Sequence, residues 1–354
     1  MSRLRPPRSL VGRLVLTLLL LSVVVGLFWW RGPSFSALGN AFTSVVWEWV
    51  VIAIAFNLLS VVVRALAWST VIRQAIEPPY PKPLTVFSAF SVGLFANAVL
   101  PGRIGELARV AVLNRRMQRP GAWATLVGTV LAHRVFDIVP VLLLILYVLV
   151  TAKVPAWAIT ILVGIVGVGV ALFTFAIVSA RTYHGSRLDG VGALRRVLSM
   201  ARQGLGVMRS PVGMALAISF QIAGWVCQLL AVWTAMRAFH IHAPLPAAGV
   251  VLLVMNVATI FPFWPGNVGA VQLAIAAPLS ASYGVAYARG VAYGFGLQAI
   301  EASVGIGVGL IFLAREGLSV AMLRVMPSAA QTEMPEPRDE RDDDAEPARA
   351  RVPS

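Results

Sequence analysis

Apolar positions run along this chain in long, nearly uninterrupted stretches that are separated by short basic segments. A helix needs about 20 mostly apolar residues to cross the hydrocarbon core of a bilayer. The sequence predicts spanning helices at about 14–30, 46–68, 122–150, 156–179, 212–237 and 289–313. The first run is preceded by arginines and ends in a Trp-Trp-Arg sequence that is typical of an interfacial anchor, so we interpret it as an uncleaved helix.

Two further apolar stretches, at 86–113 and 247–282, are each interrupted near the middle by proline and glycine. Such breaks free backbone polar groups that lipid cannot satisfy, so they occur inside protein or beside a water-filled cavity. Each half is too short to cross the bilayer alone, and we therefore predict two re-entrant helical hairpins. The predicted hinge residues are Pro101, Gly102 and Gly105 in the first break and Pro262, Pro265, Gly266 and Gly269 in the second.

The basic residues predict the orientation of the chain, because Lys and Arg concentrate in cytoplasmic segments. If both termini are cytoplasmic, most basic residues fall inside, and the external segments hold Arg31, Lys153, Arg237 and Arg289. The first hairpin then enters from the cytoplasm and the second from outside. We predict a multi-pass protein of the plasma or inner membrane.

The pattern Pro-Gly-x-(Ile/Val)-Gly occurs in both breaks, at 101–105 and 265–269, and helices precede and follow it at similar offsets. Helix, broken hairpin and helix therefore occur twice, at about 46–150 and 212–313, in opposite orientations. Inverted-topology repeats of this kind are typical of secondary transporters. The predicted fold is an all-α polytopic bundle of six spanning helices and two re-entrant hairpins. The alternative is that Pro and Gly are merely frequent in membrane helices.

The composition agrees with a membrane class, since 58% of residues are hydrophobic and 12% are charged, against about 25% charged in soluble domains. The net charge of +14 is spread in short clusters between apolar runs, which favours topogenic charge over nucleic-acid binding. We predict a transmembrane domain at 1–326, including an amphipathic cytoplasmic helix at 187–209. The polar segment at 327–354 is predicted to be a disordered cytoplasmic tail.

Ionisable residues inside spanning segments cost roughly 2.5–3.5 kcal/mol on insertion scales, so they normally face a partner or a cavity. Arg134 and Asp137 lie 33 and 36 residues after the first repeat proline, and Gln298 and Glu301 lie at the same offsets after the second. The repeat therefore predicts two carboxylates at symmetric depths.

We interpret these groups as the lining of a central cavity that accepts a phosphate-bearing headgroup. Arg103 and Arg134 would contact the phosphate, and Glu106, Asp137 and Glu301 would position those arginines, bind a cationic headgroup or carry protons. The alternative is that the charges only lock the helices together. Glu48 and Arg64 are interpreted as residues that snorkel near helix ends. The candidate residues are Asn97, Arg103, Glu106, Arg109, Arg134, Asp137, Asn256, Asn267, Gln298 and Glu301.

Three segments resemble the transmembrane region of lysylphosphatidylglycerol synthases and related flippase-like proteins: Asn97–Arg109, His133–Asp137 and Pro265–Gly269. The resemblance covers roughly 45 to 315. It implies a bundle with re-entrant helices and, in the synthases, translocation of an aminoacylated phospholipid. The family often has Glu where this chain has Gln272, and Glu-Arg where it has His133-Arg134. The soluble aminoacyl-transferase domain of the synthases is absent, so lysyl transfer is not carried over.

Two functions follow as hypotheses. The first is a translocator of an anionic phospholipid or a lipid-linked sugar. The second is a membrane-embedded enzyme or accessory subunit of lipid or glycan modification, for which a cavity open to one leaflet would argue. A scaffold is a third option, and a partner enzyme or a homodimer is left open. The sequence contains no recognisable catalytic, ATP-binding or metal-binding motif, so we predict no cofactor, no metal and no nucleic-acid partner.

Overall fold

The computed structural model describes residues 35–100, 104–117, 119, 122–153, 210–258 and 267–318, together with isolated positions at 22, 163–164, 166–171 and 174. Within these residues all regular structure is helical. The predicted helix at 14–30, the amphipathic helix at 187–209 and the tail at 327–354 lie outside the described residues, as does most of the predicted helix at 156–179.

The described helices have a repeating order of long, short, short and long. They are α1 (Phe35–Thr43), α2 (Trp47–Ala75), α3 (Pro83–Val99), α4 (Gly105–Met117), α5 (Ala122–Thr151), α6 (Pro211–Ala238), α7 (Leu245–Ala258), α8 (Ala270–Tyr283) and α9 (Tyr287–Arg315). Four of them, α2, α5, α6 and α9, are long and apolar enough to cross a membrane, which confirms four of the predicted spans. At 28 to 30 residues each, they are about 42–45 Å long.

Both predicted breaks fall between two short helices, so α3 and α4 share one apolar stretch and α7 and α8 share the other. The halves of each pair pack on one another. In the first pair the Asn97 side chain lies against Gly105, where an added Cβ would meet Asn97 Oδ1 at 2.6 Å. Glycine at 105 therefore lets the two half-helices approach closely as the chain reverses.

Among the described helices, the most extensive contact is between α2 and α6, which pack antiparallel to one another. Val46 N, before α2, donates a hydrogen bond to Ala238 O at the end of α6 at 3.0 Å. At the opposite end, Gly213 lies against the side chain of Gln74. We refer to α2–α5 as the first unit and to α6–α9 as the second unit. The first helices of the two units therefore point in opposite directions.

In each unit, the first short helix packs on the last long helix of the other unit: α3 packs on α9, and α7 packs on α5. Two apolar cores result, one around each broken pair. The last helix of each unit crosses between them, with Leu126 and Ile145 of α5 in different cores and Leu297 and Val304 of α9 likewise. This shared packing brings the polar faces of α2, α6 and α9 together.

Candidate functional site

Glu106, in the first turn of α4, binds two arginines on different helices. Its carboxylate forms ion pairs with Arg109 of α4 and with Arg134 of α5. The Arg109 side chain is buried, with its guanidinium carbon 4.7 Å from the ring of Trp68 and 5.3 Å from that of Phe90. Glu106 thus provides the negative charge for a cation that aromatic rings enclose, and it ties the broken hairpin to a spanning helix.

A hydrogen-bonded chain continues from Arg134 towards the second unit. Arg134 donates from an Nη to Asp137 Oδ2 at 3.1 Å, and Trp225 Nε1 of α6 donates to Asp137 Oδ1 at 3.1 Å. Trp225 also contacts Arg64 of α2, because the guanidinium carbon of Arg64 lies 5.0 Å from the centre of the Trp225 ring. Asp137 therefore accepts hydrogen bonds from α5 and from α6, and Trp225 contacts both Asp137 and Arg64.

Arg64 lies within α2, well before its end at Ala75, so the interpretation of this residue as a snorkelling cation near a helix end is wrong. Its side chain passes over Gly224, where an added Cβ would meet Arg64 Cγ at 2.8 Å. Its Nε is buried and has no hydrogen-bond partner in the described part of the chain. An arginine in this state retains donors for a ligand.

A cavity of about 250 Å³ lies beside Arg64, between the two units. Helices α2, α3, α6, α7 and α9 all contribute to its wall. Its polar lining residues are Asn57, Ser60, Arg64, Gln228, Asn256 and Glu301. The remaining lining residues are apolar, so the cavity is a polar strip within an apolar shell, which is the usual composition of a ligand site.

Three of the lining side chains form a network that fixes the cavity wall. Ser60 Oγ donates its one proton to Gly224 O at 2.8 Å, and Gln228 Oε1 lies 3.3 Å from the same hydroxyl. Gln228 Nε2 in turn donates to Glu301 Oε1 at 2.8 Å. This network joins α2, α6 and α9 and holds one oxygen of the Glu301 carboxylate, while the other makes no hydrogen bond to the described residues.

Side-chain amides form the hydrogen bonds at the second break, whereas ion pairs are present at the first. Gln272 is fully buried; its Oε1 accepts a hydrogen bond from Gly269 N at 2.6 Å and its Nε2 donates to Gln298 Oε1 at 2.5 Å. In the first break, Gly105 N donates to Asn97 Oδ1 at 2.8 Å. The last glycine of each repeated motif is therefore capped by a side-chain amide oxygen.

Those of the predicted site residues that the structure describes fall into three groups. Glu106, Arg109, Arg134 and Asp137 form the charged cluster described above, whereas Asn256 and Glu301 line the cavity. Asn97, Asn267 and Gln298 lie at the breaks, where Asn267 Nδ2 donates to Ala258 O at 2.8 Å. Arg103, Pro101, Gly102, Pro262, Pro265 and Gly266 lie outside the described residues.

Of the two arginines predicted to contact a phosphate, Arg103 lies outside the described residues, and the role of Arg134 stays a prediction. Arg134 is absent from the cavity lining, and its side chain is 51% exposed. Sequence reasoning missed Asn57, Ser60, Arg64 and Gln228. A signal was present for α2, since residues 57, 60 and 64 are separated by three and four positions and therefore share one helical face.

The cavity presents one cation and one carboxylate on opposite helices together with neutral amides and a hydroxyl. Such groups can bind an anion through Arg64 and hydrogen-bond the remainder of a polar molecule. In the described part of the chain, no group of three or more His, Cys, Asp or Glu residues could hold a metal ion. The geometry therefore favours recognition of a polar organic ligand.

The chain matches the family model of the lysylphosphatidylglycerol synthase TM region over residues 13–309. It is also 26% identical over 122 residues to a UPF0104 membrane protein of Pyrococcus horikoshii, an alignment that covers 34% of this chain and 35% of that relative. The similarity therefore spans about a third of the relative's length. No solved structure matches the chain.

Proposed function

The chain belongs to the lysylphosphatidylglycerol synthase TM-region family, and we propose that it moves a lipid between the leaflets of the membrane. The phosphate-bearing headgroup would pass through the cavity beside Arg64 and Glu301. The observation that carries this proposal is Arg64 Nε, which is buried without a hydrogen-bond partner among the described residues, next to a cavity between two units of the same helix order. Charge within a membrane segment is costly, and function is the usual reason to retain it.

An inverted repeat is part of the proposal, because alternating access needs a site that two oppositely oriented units share. The antiparallel packing of α2 on α6 supports it, as does the packing of α3 and of α7 on the other unit. The cavity touches both of these short helices, through Phe90 and Leu94 of α3 and through Leu252 and Asn256 of α7. Opening one broken pair and then the other would expose the same cavity to each leaflet in turn.

The proposed topology has six spanning helices, re-entrant broken pairs and both termini in the cytoplasm of the cell membrane. Exposed Arg115 and Arg116 end α4, and Arg73 and Arg315 lie in the last turns of α2 and α9. These residues would share the cytoplasmic side, where anionic lipid headgroups attract basic side chains.

A lipid-scrambling assay tests the proposal. The purified protein is reconstituted into vesicles with tail-labelled fluorescent phospholipids, and dithionite then bleaches the label in the outer leaflet. We expect Arg64→Gln to slow movement about tenfold or more, because a hydrogen bond to a charged group contributes about 1.5–3 kcal/mol. Arg73→Gln is the matched control, since it removes the same charge from an exposed position on the same helix.

The outcome is interpretable once both variants elute and unfold like the wild-type protein in detergent. Slow movement in Arg64→Gln beside normal movement in Arg73→Gln supports transport through the cavity. Equal rates in all three proteins, or an absence of lipid movement in the wild type, would contradict it.

A further inference from the structure

The cavity contains a polar side chain that neither the charged cluster nor the Ser60 network explains. Asn57 of α2 lines the cavity and is 6% exposed, yet its amide makes no hydrogen bond to the described residues. Unlike Arg64 Nε, its amide atoms are not fully buried, so they face the cavity and a ligand there can reach them. This second unpaired group, on the same helix face as Arg64, indicates that the cavity binds more than a phosphate.

The spacing of the two groups sets the length of the ligand. Asn57 and Arg64 are seven residues apart, so about 10 Å of helix axis separates them. The two positions are separated along the helix, so a headgroup with polar groups beyond its phosphate would use both. The cavity of about 250 Å³ is smaller than the roughly 300–1,000 Å³ of sites that enclose whole drug-sized ligands, so it suits a headgroup whose hydrocarbon chains remain outside.

The chemistry of the lining distinguishes between headgroup classes. An amide offers both donors and acceptors, whereas an ammonium group only donates and would leave the Asn57 NH2 unpaired. A hydroxyl both donates and accepts, and it can also donate to the Glu301 oxygen that Gln228 leaves free. A polyol can therefore pair with the Asn57 oxygen, the Asn57 NH2 and Glu301 together, whereas a single ammonium group can donate to the two oxygens and leaves the Asn57 NH2 without an acceptor.

We infer that the headgroup is a phosphodiester that carries a ring of hydroxyl groups, a sugar or an inositol, with its phosphate at Arg64 and its hydroxyls at Asn57 and Glu301. This inference rests on the proposed function, because it assigns the substrate class of the same cavity. The single phosphodiester charge matches the one arginine, and the amides match the hydroxyls.

Three tail-labelled lipids with the same acyl chains test the inference in reconstituted vesicles. Phosphatidylinositol carries the polyol ring, phosphatidylethanol has the same charge without further hydroxyls, and phosphatidylethanolamine has an amine. We expect the wild type to move phosphatidylinositol about tenfold faster than either other lipid, as one or two additional hydrogen bonds would provide. Asn57→Leu should remove this advantage by slowing phosphatidylinositol more than the other two lipids, while Asn40→Leu on exposed α1 should change nothing.

The outcomes separate this inference from the proposed function. If no lipid moves in the wild type, lipid translocation itself fails. If lipids move but phosphatidylinositol has no advantage, or if Asn57→Leu slows all three equally, the polyol assignment is overturned and translocation stands. The comparison of lipids in the wild type decides the question even if the leucine variant does not fold.

Discussion

The two broken helix pairs have the same kind of backbone cap and differ in the side chains that link them to the next long helix. In both, the glycine that ends the repeated motif donates its N–H to a side-chain amide, Asn97 in the first and Gln272 in the second. A further contact then links the break to the unit's last long helix. In the first break this link is the ion pair between Glu106 and Arg134, and in the second it is the hydrogen bond from Gln272 to Gln298.

The difference explains why the two symmetric carboxylates have different surroundings. Asp137 is occupied by Arg134 and by Trp225. Glu301 has Gln298 at the equivalent position, and it faces the cavity with one oxygen held by Gln228. Where Asp137 has an arginine three positions before it, Glu301 has a glutamine, and its carboxylate faces the cavity. The first break is thus linked by charges, and the link at the second break leaves the carboxylate of Glu301 open to a ligand.

The largest effect should follow from removing the carboxylate at the first break. Glu106→Leu leaves Arg109 buried among aromatic rings without its counter-charge. Loss of one partner of a buried ion pair costs about 3–5 kcal/mol, so we expect a marked fall in the apparent melting temperature in detergent. Glu48→Leu is the control, because Glu48 is an exposed glutamate in the first turn of α2.

A melting temperature within the error of that of Glu48→Leu would show that Arg109 does not depend on Glu106, and the charged cluster would then lose its structural role.

A smaller effect should appear when the second break is given the chemistry of the first. Gln272→Glu buries a carboxylate that can no longer donate to Gln298, and we expect destabilisation. Adding Gln298→Arg supplies a cation from the position equivalent to Arg134. A double-mutant cycle on thermal or denaturant stability should give a favourable coupling of about 0.5–3 kcal/mol.

Additive effects of the two substitutions would contradict the equivalence of the two links. If Gln272→Glu alone were as stable as the wild-type protein, the hydrogen bond from Gln272 to Gln298 would make no measurable contribution to stability.

Much of the fold could be predicted because membrane solvation imposes strong patterns on sequence. The long helices follow from apolar length, and the breaks follow from Pro and Gly, whose freed backbone groups need partners that Asn97 and Gln272 supply. The observed helix bounds differ from the predicted ones mainly in α2, which continues to Ala75, seven residues beyond the apolar run. In this extension Ser69, Val71 and Ile72 are buried while Arg73 and Gln74 are exposed, so packing on other helices extends α2 and apolar length alone misses the extension.

The cavity could not be predicted in the same way, because its walls come from helices far apart in sequence. Arg64 was assigned to a helix end for the reason just given, whereas packing on α6 over Gly224 puts it beside the cavity. The contact of Asp137 with Arg134 was predicted, because Asp137 was expected to position that arginine, and the two residues lie three positions apart on one helix. The contact of Trp225 with both Asp137 and Arg64 depends on how α2, α5 and α6 meet, which no local pattern specifies.

Lipid translocation by alternating access requires that the cavity can be reached from both sides of the membrane. Gly305 lines the cavity, and an added Cβ there meets nothing within 4 Å, so a cysteine fits. The measurement is reaction of Gly305→Cys with a membrane-impermeant thiol reagent applied to either side, in a Cys227→Ala background that removes the native cysteine. A translocator predicts labelling from both sides; labelling from one side alone would contradict alternating access and favour an enzyme or accessory subunit that serves one leaflet.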